Sequence, residues 1–343
     1  MVASSSPVFI QNSEVKTLSS KSVGQDYRIF IALPKNYADS NEKYPILYVL
    51  DADMAFAWVT EGLVRVAASL RAVEQLSSFP LARCVPDLIV IGIGYPVTLY
   101  DQPRVWLSLR TRDQTPTPNA DDARALGMEG TSGGNAPKFL RFMRNELMPY
   151  INSNYRTNSK DSTIVGHSGG GLFALYVLFH QPETFKRYVA SSPSLWWDNK
   201  VMFEYEQEWA SCHHELPAKL WLSAGSLEPR IALPLENLVK ILKQRKYRGL
   251  EWESHVFEGE DHISVWEPQF ARAYHHCSRN QTLNRNSVRD RARLESLGQF
   301  FIDPVCDYFV CLSGESHVTS FKESGAFWTA MLKQQVIVFD GKK

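Results

Sequence analysis

Short apolar runs alternate with stretches of helical spacing along most of the chain. Residues Asp26 to Pro34 are rich in β-forming side chains and stop at a proline. Tyr44 to Leu50, YPILYVL, is a nearly continuous apolar run, the pattern of a strand buried on both faces of a parallel sheet. Ala55 to Leu70 has helical spacing, and Pro86 to Tyr95 reads as another buried strand, ending in glycines. Between Pro96 and Pro137 the periodicity disappears into a mixture of Pro, Asp, Arg, Thr and Gly; an irregular stretch of that length in a folded domain is expected to be functional or mobile. Phe139 to Tyr150 is amphipathic. Strand–helix alternation then resumes, with strands over Ser162–Gly166, Tyr188–Ser192, Leu220–Ala224 and Glu251–Phe257 and helices over Gly169–His180 and Leu233–Arg245. Repeated alternation of this kind predicts an α/β fold with a mostly parallel central sheet and helices on both faces.

After about residue 277 the character changes. Five arginines fall between Ser278 and Gly298 with little apolar content, followed by two segments apolar enough to pack, 300–312 and 327–339. The expected organisation is a catalytic unit over 1–277, with an insertion near 96–137 lining a cleft, and an Arg-rich linker and tail over 278–343.

Composition adjusts this picture only modestly. The 343 residues are 44% apolar and 22% charged, a globular balance, and the 37 basic and 37 acidic side chains cancel. Zero net charge argues against a partner such as nucleic acid or an acidic membrane surface. No apolar run is long enough to span a bilayer, and the start lacks the basic and apolar pattern of a secretory signal. Five cysteines, odd in number and widely spaced, suggest neither a disulfide framework nor a zinc ribbon. The expectation is a cytoplasmic protein without metal or cofactor, its oligomeric state open.

Two copies of the pattern G-x-S-x-G occur. Gly130-Thr-Ser-Gly-Gly134 sits in the irregular stretch with no strand before it. Gly166-His-Ser-Gly-Gly170 follows an apolar strand and opens an apolar helix. Only the second has the strand–turn–helix context in which a serine is held outward, so Ser168 is the nucleophile candidate. A serine hydroxyl needs a base within hydrogen-bonding reach, and in this architecture the chain order is serine, acid, histidine. Of nine histidines, His262 alone follows a strand through a short polar turn and is the candidate base. The acid should follow the preceding strand, which makes Glu228 the first candidate and Asp261 the second. An oxyanion needs two backbone N–H donors. Gly169 supplies one, and the amide of Ala52 or Asp53, after the Tyr44–Leu50 strand, supplies the other. Asp51-x-Asp53 lacks the companions of a metal site, and Gly92-x-Gly94 lacks the third glycine of a dinucleotide fingerprint.

These residues resemble a known group. The run Thr163 to Pro182 around the elbow, the sequel ending Ser-Pro-Ser-Leu-Trp-Trp197, Tyr44 to Asp51, Ile91 to Pro96, the Arg-Thr-Arg-Asp-Gln-Thr-Pro run and Gly259-Glu-Asp-His262 are similar, in order, to the esterase-D-like branch of the α/β-hydrolases. That branch includes the siderophore trilactone esterases acting on salmochelin, enterobactin and bacillibactin. The resemblance covers about residues 8–270 and implies the α/β-hydrolase fold, with Ser168 as nucleophile, His262 as base, Glu228 as acid and oxyanion amides after Leu50 and at Gly169. Some members of the branch use a Ser–His dyad, so the part played by Glu228 stays open. Ala52 stands where the branch commonly has glycine, and Gly169 stands where bulkier residues are usual. The implied function is hydrolysis of a small carboxylic ester, including siderophore-type esters, through an acyl-enzyme. An acyltransferase on the same scaffold and a catalytically weak hydrolase-like binding protein are the alternatives. Tyr95, Trp196 and Trp197 are expected to wall the cleft, and Arg104, Arg110 and Arg112 are candidates to meet an anionic substrate.

Overall fold

Buried apolar strands from both halves of the sequence assemble into one sheet in the computed structural model, which describes residues 8–65, 68–69, 86–128, 130–278, 327–333 and 336–342. The chain divides into two units, Met1–Ser278 and Arg279–Lys343. The strands of the first are β1 (Ser13–Ser20), β2 (Gln25–Ala32), β3 (Tyr44–Leu50), β4 (Ile89–Gly94), β5 (Thr157–His167), β6 (Arg187–Ser191), β7 (Lys219–Gly225) and β8 (Glu251–Phe257). They form an eight-stranded sheet in the order β1-β2-β4-β3-β5-β6-β7-β8. From β4 to β8 every neighbouring pair is parallel; β1 pairs with β2, and β2 with β4, antiparallel. β3 and β4, central and apolar throughout, are buried along their lengths, whereas the edge strand β8 alternates and is mostly exposed.

The helices are α1 (Ala52–Ala57), which continues as a π-helical segment over Trp58–Arg65, then α2 (Pro103–Gln114), α3 (Ala120–Ala125), α4 (Ala136–Phe142) and α5 (Met148–Asn154), the last two joined by a π-helical turn. They are followed by α6 (Gly169–His180), α7 (Trp197–Cys212), α8 (Pro229–Arg245) and α9 (Trp266–Ser278). Each sheet face carries its own core. One contains Ile29, Tyr48, Ile91 and Ile164 with α6 and parts of α2, α4 and α8; the other joins Val49, Val90 and Trp221 to Phe56 of α1 and Phe270 of α9. Eleven consecutive residues of α6, Gly169 to Phe179, are buried. Its all-round hydrophobicity is that of a helix enclosed on every side.

The stretch 96–137, read from the sequence as irregular, contains α2 and α3. Periodicity was hidden because α2 buries polar residues. Thr111, Asp113 and Gln114 are buried alongside Trp106. Asp113 accepts hydrogen bonds from Tyr27 Oη (2.6 Å), from Arg112 and from Asn135 Nδ2 (3.2 Å), so hydrogen bonding rather than hydropathy fastens α2 to the sheet. The start of α7 has a different character: Asp198, Asn199 and Lys200, inside its first turn, all have positive φ. Asp198 is held there by its N–H to Asp122 Oδ2 (2.7 Å) and by Asn119 Nδ2 to its Oδ1 (2.9 Å).

In the second unit β9 (Phe327–Lys333) pairs antiparallel with β10 (Val336–Lys342). The apolar segment 300–312 lies outside the described residues. Among the described residues no helix is long and apolar enough to cross a membrane.

Close packing at the end of β5 rests on glycine. A Cβ on Gly166 would lie 2.2 Å from the Gly170 carbonyl oxygen, a backbone atom that no side-chain rotation can move. Gly166→Ala is expected to lower the unfolding free energy by about 2–4 kcal/mol, through overpacking of the turn. Urea denaturation checks this; an unchanged midpoint would contradict it.

Candidate active site

Parallel strands direct their carboxyl ends to one edge of the sheet, and loops there collect residues distant in sequence. Ser168 follows β5, with φ 59° and ψ −115°. Its N–H donates to Ser191 O (2.9 Å), and its carbonyl accepts from Leu172 N (3.0 Å) and Ser194 N (3.1 Å), so the strained turn is pinned to β6 and α6. Its Oγ lies 3.3 Å from Ser194 Oγ.

Glu228, after β7, is almost completely buried and accepts from three donors. Oε2 receives Gly225 N (2.6 Å) and Ser192 Oγ (2.8 Å), and Oε1 is bonded to Nδ1 of His262, which follows β8. A carboxylate only accepts, so Nδ1 carries the proton and Nε2 is left as the basic nitrogen of the ring. Asp261, the alternative acid, instead caps its own turn by accepting from Ile263 N (2.8 Å) and Ser264 N (2.9 Å), and is exposed.

Ser168 and His262 border the same cavity, about 600 Å³ in volume. Its walls are largely aromatic and aliphatic, with Trp58, Trp106, Trp196, Trp197 and Trp266 among them. Trp197 is fixed by donating Nε1 to Thr117 O (3.0 Å), and Trp196 lies under the Arg230 guanidinium at 4.0 Å. The other G-x-S-x-G segment, Gly130 to Gly134, packs nearby as a loop: a Cβ on Gly133 would meet Thr115 Oγ1 at 2.1 Å and the Trp197 ring at 2.9 Å.

Gly169 opens α6, and Ala52 and Asp53 open α1. Amides in the first turn of a helix have no intrahelical acceptor, and β3 and β5 are neighbours, so these amides sit at adjacent strand ends. Between them lies a buried polar cluster. Asp51, at φ 56° and 1% exposed, accepts from Arg110 Nη2 (2.8 Å) at Oδ2 and from Gln114 Nε2 (2.7 Å) at Oδ1. Arg110 Nη2 also donates to His167 O (2.9 Å). The Asp53 carboxylate turns away, to Arg28 (2.9 Å), Tyr95 N (3.3 Å) and Trp106 Nε1 (3.3 Å); burial pushes its pKa up against the effect of these donors.

Not every expected cleft residue is there. Trp196, Trp197 and Arg110 line the cavity, but Arg110 is already paired with Asp51, so its charge is not free for an anion. Tyr95 does not line it; its ring is 1% exposed and packs edge-on against Trp106, because the residue following a central strand lies beneath the cleft floor. Arg112 points the other way along α2, to Asp113 and Gln25, and Arg104 is exposed on the same helix. Ser192, Ser194 and Gln269 were missed from sequence. The available signal was position: Ser192 and Ser194 directly follow β6 at the edge that collects the other groups.

Comparison with known proteins agrees with this architecture. Residues 113–277 match the family described as "Putative esterase". The chain is 32% identical over 272 residues to the ferri-bacillibactin esterase BesA of Bacillus subtilis, spanning 77% of this chain and 89% of that protein. It is 28% identical over 297 residues to a siderophore triacetylfusarinine C esterase of Aspergillus fumigatus, spanning 78% and 93%. Among solved structures, the BES protein from Bacillus cereus superposes with a TM-score of 0.68 at 28% identity, covering 82% of this chain and all of that one. The fold is that of an α/β-hydrolase. The chain belongs to the esterase family, in the branch that holds the siderophore esterases, and is a carboxylic ester hydrolase.

Beneath His262 lies a second imidazole. The His167 ring sits 4.5 Å from that of His262 and 4.7 Å from that of Trp266, and its Nδ1 meets Gln269 Nε2 at 2.8 Å. Burial, reinforced by the neighbouring His262 and Arg110, holds its pKa well below the ordinary histidine value of 6.5. The unfolded chain therefore binds a proton that the folded one refuses, and stability falls as pH drops below the ordinary value. His167→Gln is expected to make the stability–pH slope between about pH 5 and 6.5 shallower, by at most about 1.4 kcal/mol per pH unit. Urea titrations across that range measure the slope; identical slopes in both proteins would refute a neutral His167.

Proposed function

We propose that the protein hydrolyses carboxylic esters through an acyl-enzyme formed on Ser168. The observation carrying this reading is the shared cavity: a serine on a strained strand-to-helix turn and a histidine whose Nδ1 is engaged by a buried glutamate both open into it. His262 takes the Ser168 proton as the hydroxyl attacks the ester carbonyl. Glu228 keeps the ring in the tautomer with Nε2 free and balances the imidazolium that forms. The Gly169 amide and a first-turn amide of α1, Ala52 or Asp53, hold the oxyanion. His262 then protonates the leaving alcohol, and water activated by the same ring releases the acid.

The substrate in this reading is an ester-linked siderophore. Support comes from relatives named for such esters and from a cavity whose many indole walls suit a bulky, partly aromatic ligand. Recognition of an anionic complex would fall to groups other than Arg110, which is neutralised in place. A cytoplasmic location belongs to the same proposal; the free, exposed thiol of Cys212 suits a reducing compartment.

Ser168→Ala is expected to lower kcat on p-nitrophenyl esters by at least about a thousandfold without loss of folding, as checked by stopped assays and circular dichroism. Persistent turnover would move the nucleophile elsewhere. Glu228→Gln should cost about 10³–10⁴ in kcat if the carboxylate works with His262; a loss within about fivefold would mean that a Ser–His pair suffices. For substrate, ferric siderophores with ester backbones should be cleaved with kcat/KM well above that of p-nitrophenyl acetate, followed by chromatography of the released acids. Equal or lower values would exclude them as the preferred class.

A further inference from the structure

Gln114 places a buried hydrogen-bond acceptor beside the nucleophile. Its side chain is 1% exposed, at the end of α2, and borders the cavity. The orientation of its amide follows from its partner. Asp51 receives Arg110 on Oδ2 and Gln114 on Oδ1, and a carboxylate in an ion pair offers only acceptors. The NH2 group must therefore face Asp51, which leaves Oε1 beside Gly169, the residue after Ser168. Oε1 lies 3.1 Å from where a Gly169 Cβ would stand, and it has no hydrogen-bond partner among the described residues. Glycine at 169 is what leaves this space open: a side chain there would cover the acceptor and press on Arg110 Nη1, also 3.1 Å away.

The strand order says which part of a substrate reaches it. Gln114 approaches from the β3 side through Asp51, whereas His262 and Glu228 approach from the β7–β8 side. A leaving alcohol departs toward the histidine that protonates it. The acyl portion is left to the opposite side, next to Gly169 and Gln114.

Resting on the proposed acyl-enzyme reading, we propose that Gln114 Oε1 is a specificity-determining subsite that accepts a hydrogen bond from an N–H or O–H on the acyl portion of the ester, close to its carbonyl. The subsite thus separates acyl groups that carry such a donor from isosteres that lack it. A donor there satisfies the acceptor. A methylene leaves the buried oxygen unpaired, the asymmetry by which hydrogen-bonding sites reject isosteres.

N-acetylglycine ethyl ester and ethyl levulinate differ by N–H against CH2 and make the test, with p-nitrophenyl acetate as the control and acid release as the readout. The wild-type protein is expected to favour the N–H ester in kcat/KM by about fivefold to a hundredfold beyond the ratio of the two esters' alkaline hydrolysis rates, which corrects for activation by the α-nitrogen. In Gln114→Met, which keeps the volume and removes the acceptor, the ratio should fall to that intrinsic value. A wild-type ratio no higher than the intrinsic value, or an unchanged ratio in the variant, overturns the subsite while p-nitrophenyl acetate turnover leaves the catalytic reading standing. Should Gln114→Met fail to fold, the wild-type ratio alone decides. No turnover of p-nitrophenyl acetate overturns the catalytic reading, and the subsite with it.

Discussion

The contact on which the site depends is the one between backbones at the end of β5. Gly166 lies so close to the Gly170 carbonyl that a carbon added at 166 has no room, and Ser168 takes positive φ at the crest between them. Strain of this kind persists only where surroundings over-determine it. Here they do: hydrogen bonds from Ser168 N to β6 and from Ser194 N to its carbonyl hold both ends, and α6 is enclosed along its length. The candidate site is arranged around that crest. The neighbouring strand β3 delivers the start of α1 on one side, and the ends of β7 and β8 deliver Glu228 and His262 on the other.

Around the crest, charge is managed by pairing rather than exposure. Asp51 is neutralised by Arg110 and, farther along α2, Asp113 by Arg112, each carboxylate being nearly inaccessible. Breaking one partner from such a pair leaves an uncompensated charge, which is far costlier than loss of a surface ion pair. The floor of the cavity thus has fixed polarity without a free ion, and His167, held neutral below His262, keeps it so.

How much of this was legible in the sequence depended on what buried each segment. β3, β4 and α6 are apolar enough that hydropathy alone located them, and the glycines around Ser168 marked the turn. Chain order then picked His262 and Glu228, because parallel topology leaves few places for an acid and a base. α2 escaped because Thr111, Asp113 and Gln114 are inside by virtue of hydrogen bonds that a linear pattern does not encode. The same cause misplaced two cleft residues. Arg112 resembles Arg110 in sequence, yet two residues along a helix turn a side chain through about 200°, and only Arg110 faces the cavity. Tyr95 follows a strand as Trp196 does, but its ring fills the layer beneath.

The order of the strands in the sheet has a kinetic consequence. Asp51, Ser168, Glu228 and His262 converge although more than two hundred residues separate the first from the last, and none of these approaches is made by local structure. Non-local closures of this size form slowly, since loop entropy must be overcome before the contacts that reward it exist. Secondary structure can therefore be complete while the cavity is still unformed. For a refolding chain, recovery of ester turnover would mark the last event of assembly and trail the return of helical signal.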